Sequence, residues 1–316
     1  MRIRNRFLVL LALTLLLLSG CTTAGLPGSA SSPAGFAVDW PSSAAGIMVQ
    51  GSGEPLTDRP GQQPVPTAST AKVIMALTVL KKYPLALHEP GLKVAMTDVD
   101  VRLYDRYRAA QGTVFPVYMG MVLTEYDLLR AALLPSANNI ADSLALWAFG
   151  SLDAYRQAAQ RTVADLGMNS TQIGPDASGY DPATTSTVRD LTILAGAAMR
   201  SPVIADIVRQ PSADLPGGRV TNTNTLLGSQ GVIGLKTGTS PQARGVFLFA
   251  ANVTLGGREQ LVVGAVQGAG ETSKDAMQEA AALLASLRDS STQSERPMKG
   301  GTASSKVLMF LDGSCE

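Results

Sequence analysis

The sequence predicts an α+β fold, in which one sheet is interrupted by a long helical insertion. Two observations carry this. Ala45-Gly46-Ile47-Met48-Val49-Gln50 reads as a short apolar strand turned by Gly51-Ser52-Gly53, and three further strand-like runs, 231–236, 244–254 and 260–267, come only after residue 230. Between them, residues 85–225 carry helical spacing and long loops, so the N-terminal strand must rejoin the C-terminal ones around an insertion.

The elements follow in order. Leu56 to Pro66 is rich in proline and glycine and delivers the chain to a helix starting near Ser69, which Pro84 stops after Tyr83. Thr124 starts a second helix, with Asp127 three residues on and Leu128, Leu129, Ala132 and Leu133 at helical spacing, ended by Pro135. Others run from Asn139 to Gly150, Leu152 to Leu166 and Thr187 to Met199. Leu255-Gly256-Gly257-Arg258 is a hairpin turn between the last two strands. Glu271 to Arg288 is an Ala/Leu-rich helix, and residues 290–316 are expected to be a disordered tail with a small apolar patch at 307–311.

The N-terminus is different in kind. Arg2, Arg4 and Arg6 precede an apolar run from Phe7 to Leu18, then Ser19-Gly20-Cys21: the composition of an export signal of residues 1–20, too short for a comfortable membrane span. Leu18-Ser19-Gly20-Cys21 resembles a bacterial lipoprotein signal, which implies a lipid on Cys21 and an extracytoplasmic, membrane-anchored protein. Residues 21–35, nearly all Thr, Ala, Gly, Ser and Pro beyond the cysteine, form a flexible tether, leaving residues 36–289 as the folded domain.

With 45% hydrophobic and 16% charged residues over 316, the chain can bury a substantial core. Its 26 basic residues face 25 acidic ones; without Arg2, Arg4 and Arg6 the formal charge falls from +1 to −2, and no basic run remains to hold nucleic acid. Cys21, Cys315 and a single histidine, His88, offer no metal-ligand cluster, so no metal or other cofactor is expected. His88 lies in a Pro/Gly-rich turn with no nucleophile elbow nearby, which argues against a Ser-His-Asp triad.

Three stretches carry reactive groups. In Pro66-Thr67-Ala68-Ser69-Thr70-Ala71-Lys72, Ser69 and Lys72 are three apart at a helix start, with Cβ atoms about 5–6 Å apart on one face. A lysine desolvated there can be neutral and take the serine proton. Pro135-Ser136-Ala137-Asn138 sets a hydroxyl and an amide in the break between two helices, and Lys236-Thr237-Gly238-Thr239 sets a cation and hydroxyls at a strand end. Each alone also fits a bland reading: a capped helix with a solvated lysine, helix punctuation, and a polar strand end running into a turn.

In this order, Ser-x-x-Lys, Ser-x-Asn and Lys-Thr-Gly form a known motif set, and the chain from about Ala45 to Gln267 resembles the serine D-alanyl-D-alanine carboxypeptidases, the low-molecular-weight penicillin-binding proteins. The flanking words Leu133-Leu134 and Ser186-Thr187-Val188-Arg189-Asp190-Leu191 are also similar. Ala71 and Ala137 stand where relatives often have a hydroxyl residue and glycine, and too little chain follows the domain for the C-terminal β-domain and amphipathic anchor of many relatives.

The resemblance implies an antiparallel sheet flanked by helices, as in DD-peptidases and β-lactamases. It implies that Ser69 attacks the penultimate D-alanine of a peptidoglycan stem peptide, or a β-lactam, while Lys72 accepts its proton. Ser136 relays a proton to the leaving D-alanine, and Asn138 orients Lys72 or binds the substrate backbone. The N–H groups of Ser69 and Thr239 hold the oxyanion, and Lys236, Thr237, Gly238 and Thr239 receive the terminal carboxylate, with Arg244 adding a second cation. Arg189 is read as structural. A class A β-lactamase shares the motifs but needs a deacylating glutamate, and no glutamate occurs between Asn139 and Lys236. A non-catalytic penicillin-binding sensor is the other alternative, and transpeptidase or endopeptidase action would use the same acyl-serine.

Overall fold

The computed structural model describes residues 38–294, with side chains described as far as Leu287. Strands β1 (Ala44–Val49), β2 (Leu56–Thr57) and β3 (Val65–Pro66) lead to a 3-10 turn, Ala68–Thr70, and helix α1 (Ala71–Lys82). Next come β4 (Lys93–Ala95), α2 (Asp98–Ala109), β5 (Val122–Thr124), α3 (Glu125–Leu133), α4 (Asn138–Phe149) and α5 (Leu152–Asp165). The chain continues through β6 (Thr185–Ser186), α6 (Val188–Arg200), α7 (Pro202–Val208), β7 (Ser212–Leu215) and β8 (Gly218–Thr221). It closes with β9 (Val232–Ser240), β10 (Arg244–Leu255), β11 (Arg258–Ala269) and α8 (Ser273–Ser294).

The main sheet is antiparallel throughout, in the order β2-β1-β11-β10-β9. The N-terminal strand therefore joins the C-terminal meander across the helical insertion, as the sequence predicts. Leu255 pairs with Arg258 across Gly256 and Gly257, whose φ values of +56° and +72° suit the tight turn that glycine permits. β9 is an edge strand, and its free edge becomes a wall of the site.

Two apolar layers sandwich the sheet. Phe247, Phe249, Val262 and Val266 pack with Ala276, Ala280, Leu283 and Leu284 of α8 on one face. On the other, Leu248, Ala250 and Val263 join Val73, Ile74, Met75, Ala76 and Val79 of α1 and the cores of α3, α4 and α6. Helix α1 is buried almost all round, and that burial removes its one inward lysine from water.

Local chemistry fixes the helix ends. Thr124 Oγ1 accepts from Asp127 N at 3.1 Å and Asp127 Oδ2 from Thr124 N at 3.3 Å, a capping box at the expected start of α3. Gly150, at φ +79°, ends α4. Two features go beyond the expected elements. The insertion also holds two hairpins, β4–β5 and β7–β8, whose strands are too short for a period to show. Helix α8 continues to Ser294, past the boundary expected at 289, and residues 295–316, like the expected signal and tether, lie outside the described residues.

Candidate active site

The turn carrying Ser69 is held from three sides. Thr67 N donates to Thr184 O at 3.0 Å, and Thr70 Oγ1 donates to Thr67 O at 2.8 Å. A Cβ at Gly179 would stand 2.1 Å from Ala68 O, and one at Gly238 would be 3.1 Å from Thr67 O and 3.3 Å from Ser69 N. Glycine at these positions lets the 176–181 loop and strand β9 close on the turn. Thr67, Ala68 and Thr70 are buried while Ser69 remains partly exposed, so its hydroxyl is the group the turn presents to solvent.

Lys72 is 0% exposed, and its Nζ contacts Ser69 Oγ at 2.8 Å, Asn138 Oδ1 at 2.7 Å and the Ser178 carbonyl at 2.8 Å. Two of these partners are oxygens that only accept, while the serine hydroxyl can also give a proton. As an ammonium, Lys72 donates to all three. As a neutral amine, its two N–H groups serve Asn138 and Ser178, and the lone pair is left facing the Ser69 hydroxyl. Burial lowers the Lys72 pKa from 10.5 to about 7, against the opposing pull of the Asp176 and Asp142 carboxylates.

Lys236 is also buried, its Nζ donating to Thr237 O at 3.0 Å. Burial and then the charge of Lys72 hold its pKa well below the ordinary lysine value. The two lysine charges repel one another, and at Lys72 the Asp176 and Asp142 carboxylates act in compensation. Thr237 Oγ1 lies 2.6 Å from Thr223 Oγ1, and Thr239 Oγ1 accepts from Ser273 N at 2.8 Å, leaving its own proton to donate.

Ser69, Asn138 and Thr239 line a cleft of about 930 Å³ together with Arg106, Tyr107, Gln111 to Thr113, Asp176, Tyr180 and Glu271. Ser136 sits in the α3–α4 break at φ +71° and only 7% exposed; the Ser178 carbonyl completes the lysine's trio. Arg244 pairs with the cleft residue Ser240 across β9 and β10, and its Nε donates to Gly270 O at 2.6 Å, beside the cleft residue Glu271. Arg189 pairs with Glu54 at 2.5 Å and Asp190 at 3.6 Å, a structural role as expected.

The sequence reading missed the loop behind the lysine. Asp176 Oδ1 accepts from Ser178 N (2.9 Å), Ser178 Oγ (3.1 Å) and Gly179 N (2.6 Å), and Oδ2 from Asp181 N (2.7 Å). This is an Asx-type turn whose signal, Asp176-Ala177-Ser178-Gly179, was present in the sequence, although its destination was not. Asp142, one helical turn beyond Asn138, was also missed. Asn139 clamps the opposite wall, accepting from Phe115 N at 3.0 Å and donating to Phe115 O at 2.9 Å.

Comparison with known proteins gives this geometry a context. D-alanyl-D-alanine carboxypeptidase DacB2 of Mycobacterium tuberculosis (strain ATCC 25618 / H37Rv) is 32% identical over 223 residues, 67% of this chain and 70% of the relative. A crystal structure of a D-alanyl-D-alanine carboxypeptidase from M. tuberculosis H37Rv superposes with a TM-score of 0.67 at 30% identity, covering 82% of this chain and 94% of that one. The Streptomyces K15 DD-transpeptidase gives 0.67 at 26% identity, over 79% and 98%. Residues 30–265 match the D-alanyl-D-alanine carboxypeptidase family model, a span that contains the serine, both lysines and the loops that hold them, and the chain therefore belongs to that family of serine DD-peptidases.

Proposed function

We propose that this serine DD-carboxypeptidase releases the terminal D-alanine of peptidoglycan stem peptides through an acyl-enzyme on Ser69. The Ser69 oxygen attacks the carbonyl of the penultimate D-alanine while its proton passes to Lys72 Nζ. The tetrahedral oxyanion is held by the N–H groups of Ser69 and Thr239. The C–N bond then breaks, the leaving amine takes a proton by way of Ser136, and water hydrolyses the ester. Asn138 fixes the lysine, and Lys236, Thr237, Gly238 and Thr239 receive the substrate carboxylate, which restores the charge that burial takes from Lys236. β-Lactams enter the same route as acylating analogues.

One observation supports this above the others: the buried Lys72 amine has two acceptor-only partners and one hydroxyl, so its lone pair has a single direction in which to act. Wild-type protein is expected to bind fluorescent penicillin covalently and to release D-alanine from diacetyl-Lys-D-Ala-D-Ala. An adduct that persists in Ser69→Ala overturns the nucleophile, and penicillin binding without D-alanine release favours a sensor.

Export and lipid anchoring at Cys21, on the extracytoplasmic face of the membrane, belong to the same proposal and rest on the sequence of residues 1–21. Mass spectrometry of the mature protein tests it: a diacylglyceryl mass on Cys21 is expected, and an unmodified or uncleaved N-terminus overturns it.

A further inference from the structure

Outside the catalytic motifs, one buried carboxylate on α4 bonds both α2 and the 176–181 loop behind the lysine. Asp142 lies four residues after Asn138 on α4, with its side chain fully buried. Its Oδ1 accepts from Ala177 N at 2.9 Å, and its Oδ2 accepts from Tyr107 OH at 2.7 Å and Arg106 at 2.9 Å. Ala177 is the residue before Ser178, whose carbonyl holds Lys72. Tyr107 OH also lies 3.2 Å from Ser178 Oγ. One carboxylate thus ties α2, α4 and the 176–181 loop together around the amine.

We propose that Asp142 is a positioning residue of the acylation step: it fastens the loop that presents the Ser178 carbonyl to Lys72, and its negative charge offsets the cost of keeping a proton on that lysine. The inference rests on the reading of Lys72 as the base.

Two functions can be separated here. The hydrogen bond to Ala177 N is geometric and would survive in an isosteric amide, whereas the charge would not. The groups facing this pair are Arg106 and Tyr107 from α2, Tyr155 from α5, Asp176 from the loop, Lys236 from β9 and Lys72 itself. Asp142 and Asp176 both favour the protonated lysine. Asp176 spends its two oxygens within its own turn, whereas Asp142 also reaches Arg106 and Tyr107 of α2. Burial, followed by the charge of Asp176, raises the Asp142 pKa to about 6, so near neutral pH it still carries most of its charge.

The sign is what makes this testable. Asp142→Asn removes a charge that holds a proton on Lys72, so the neutral amine should persist at lower pH. The rate of acylation by fluorescent penicillin, measured from pH 5 to 9, should keep its sigmoidal form with its midpoint moved toward acid by about half a pH unit or more. Damage to packing lowers the rate at all pH values and moves no midpoint. Tyr107→Phe, which leaves the carboxylate in place but removes a donor that stabilises its charge, should shift the midpoint in the same direction by less. It also keeps the question open to test if the asparagine variant fails to fold.

An unmoved midpoint in a folded Asp142→Asn protein, or a shift toward alkaline pH in either variant, overturns the proposal. Wild-type protein that forms no penicillin adduct instead overturns the acyl-serine reading beneath it, and the inference falls with it.

Discussion

Lys72 Nζ and Asn138 Oδ1 lie 2.7 Å apart on helices that start 67 positions from one another, and this contact decides which way the amine faces. An amide oxygen can only accept, so one N–H of the amine is committed to it. The Ser178 carbonyl commits a second, and the Ser69 hydroxyl takes what remains. Asn138→Ala should therefore leave the fold intact and slow acylation by about 10- to 100-fold, measured with fluorescent penicillin. Unchanged acylation would remove the lysine-orienting role.

With the Lys72 pKa near 7, wild-type acylation should rise with pH as the ammonium loses its proton and level off above about pH 8. Lys72→Arg keeps a cation that stays protonated across this range and should lose a factor on the order of 10²–10⁴ at every pH. A pH-independent wild-type rate would show that another group takes the serine proton.

Gly179 holds the loop against the nucleophile turn by having no side chain. At φ +69°, with a Cβ that would fall 2.1 Å from Ala68 O, Gly179→Ala must push the two backbones apart. We expect a loss of about 1–3 kcal/mol in denaturant unfolding and at least a tenfold loss in acylation, because the Ser178 carbonyl moves with the loop. Full activity in this variant would separate the loop from the lysine.

Glu125 lies 1% exposed at the start of α3, where burial raises its pKa to about 7 and its Oε1 has no hydrogen-bond partner among the described residues. The folded state keeps a proton that the unfolded chain releases near pH 4.3, so this residue's contribution to stability is greatest below that value and is lost as pH rises through about 7. Glu125→Gln should unfold at higher denaturant than wild type at pH 8 and lose that advantage near pH 4. Equal midpoints at pH 8 would count against it.

Deacylation of the penicilloyl enzyme should be slow. No glutamate occurs between Asn139 and Lys236, and of the two cleft aspartates of that interval Asp176 has both oxygens occupied by its own loop while Asp181 accepts from Ala183 N through Oδ1. The penicilloyl adduct should persist for minutes or longer in intact-mass spectra, with negligible nitrocefin turnover. Rapid turnover would reveal a β-lactamase.

Much of this was legible in the chain. The strand runs, the Gly256-Gly257 turn, the Thr124 capping box and the Gly150 stop are local signals, each depending on a few adjacent residues and the backbone they permit. The serine, lysine and asparagine motifs were legible because reactive groups must sit at fixed short spacings on one element. The β4–β5 and β7–β8 hairpins were not, because three or four residues hold no readable period. For Arg244 the position beside the strand end was legible, whereas its bond to the Gly270 carbonyl, 26 positions on, was not.

The sequence by itself determined the sheet with its inserted helices, the residues proposed as nucleophile and base, and the order in which three motifs meet. Only the tertiary structure decided how far Lys72 is withdrawn from water and which charges stand near it. The environment of Lys72 is built from α1, α4 and the 176–181 loop, with its charge balance set by Asp142 and Asp176 against burial. Desolvation and Coulomb energy depend on distance in space, and residues a hundred positions apart acquire that distance only when the chain closes on itself.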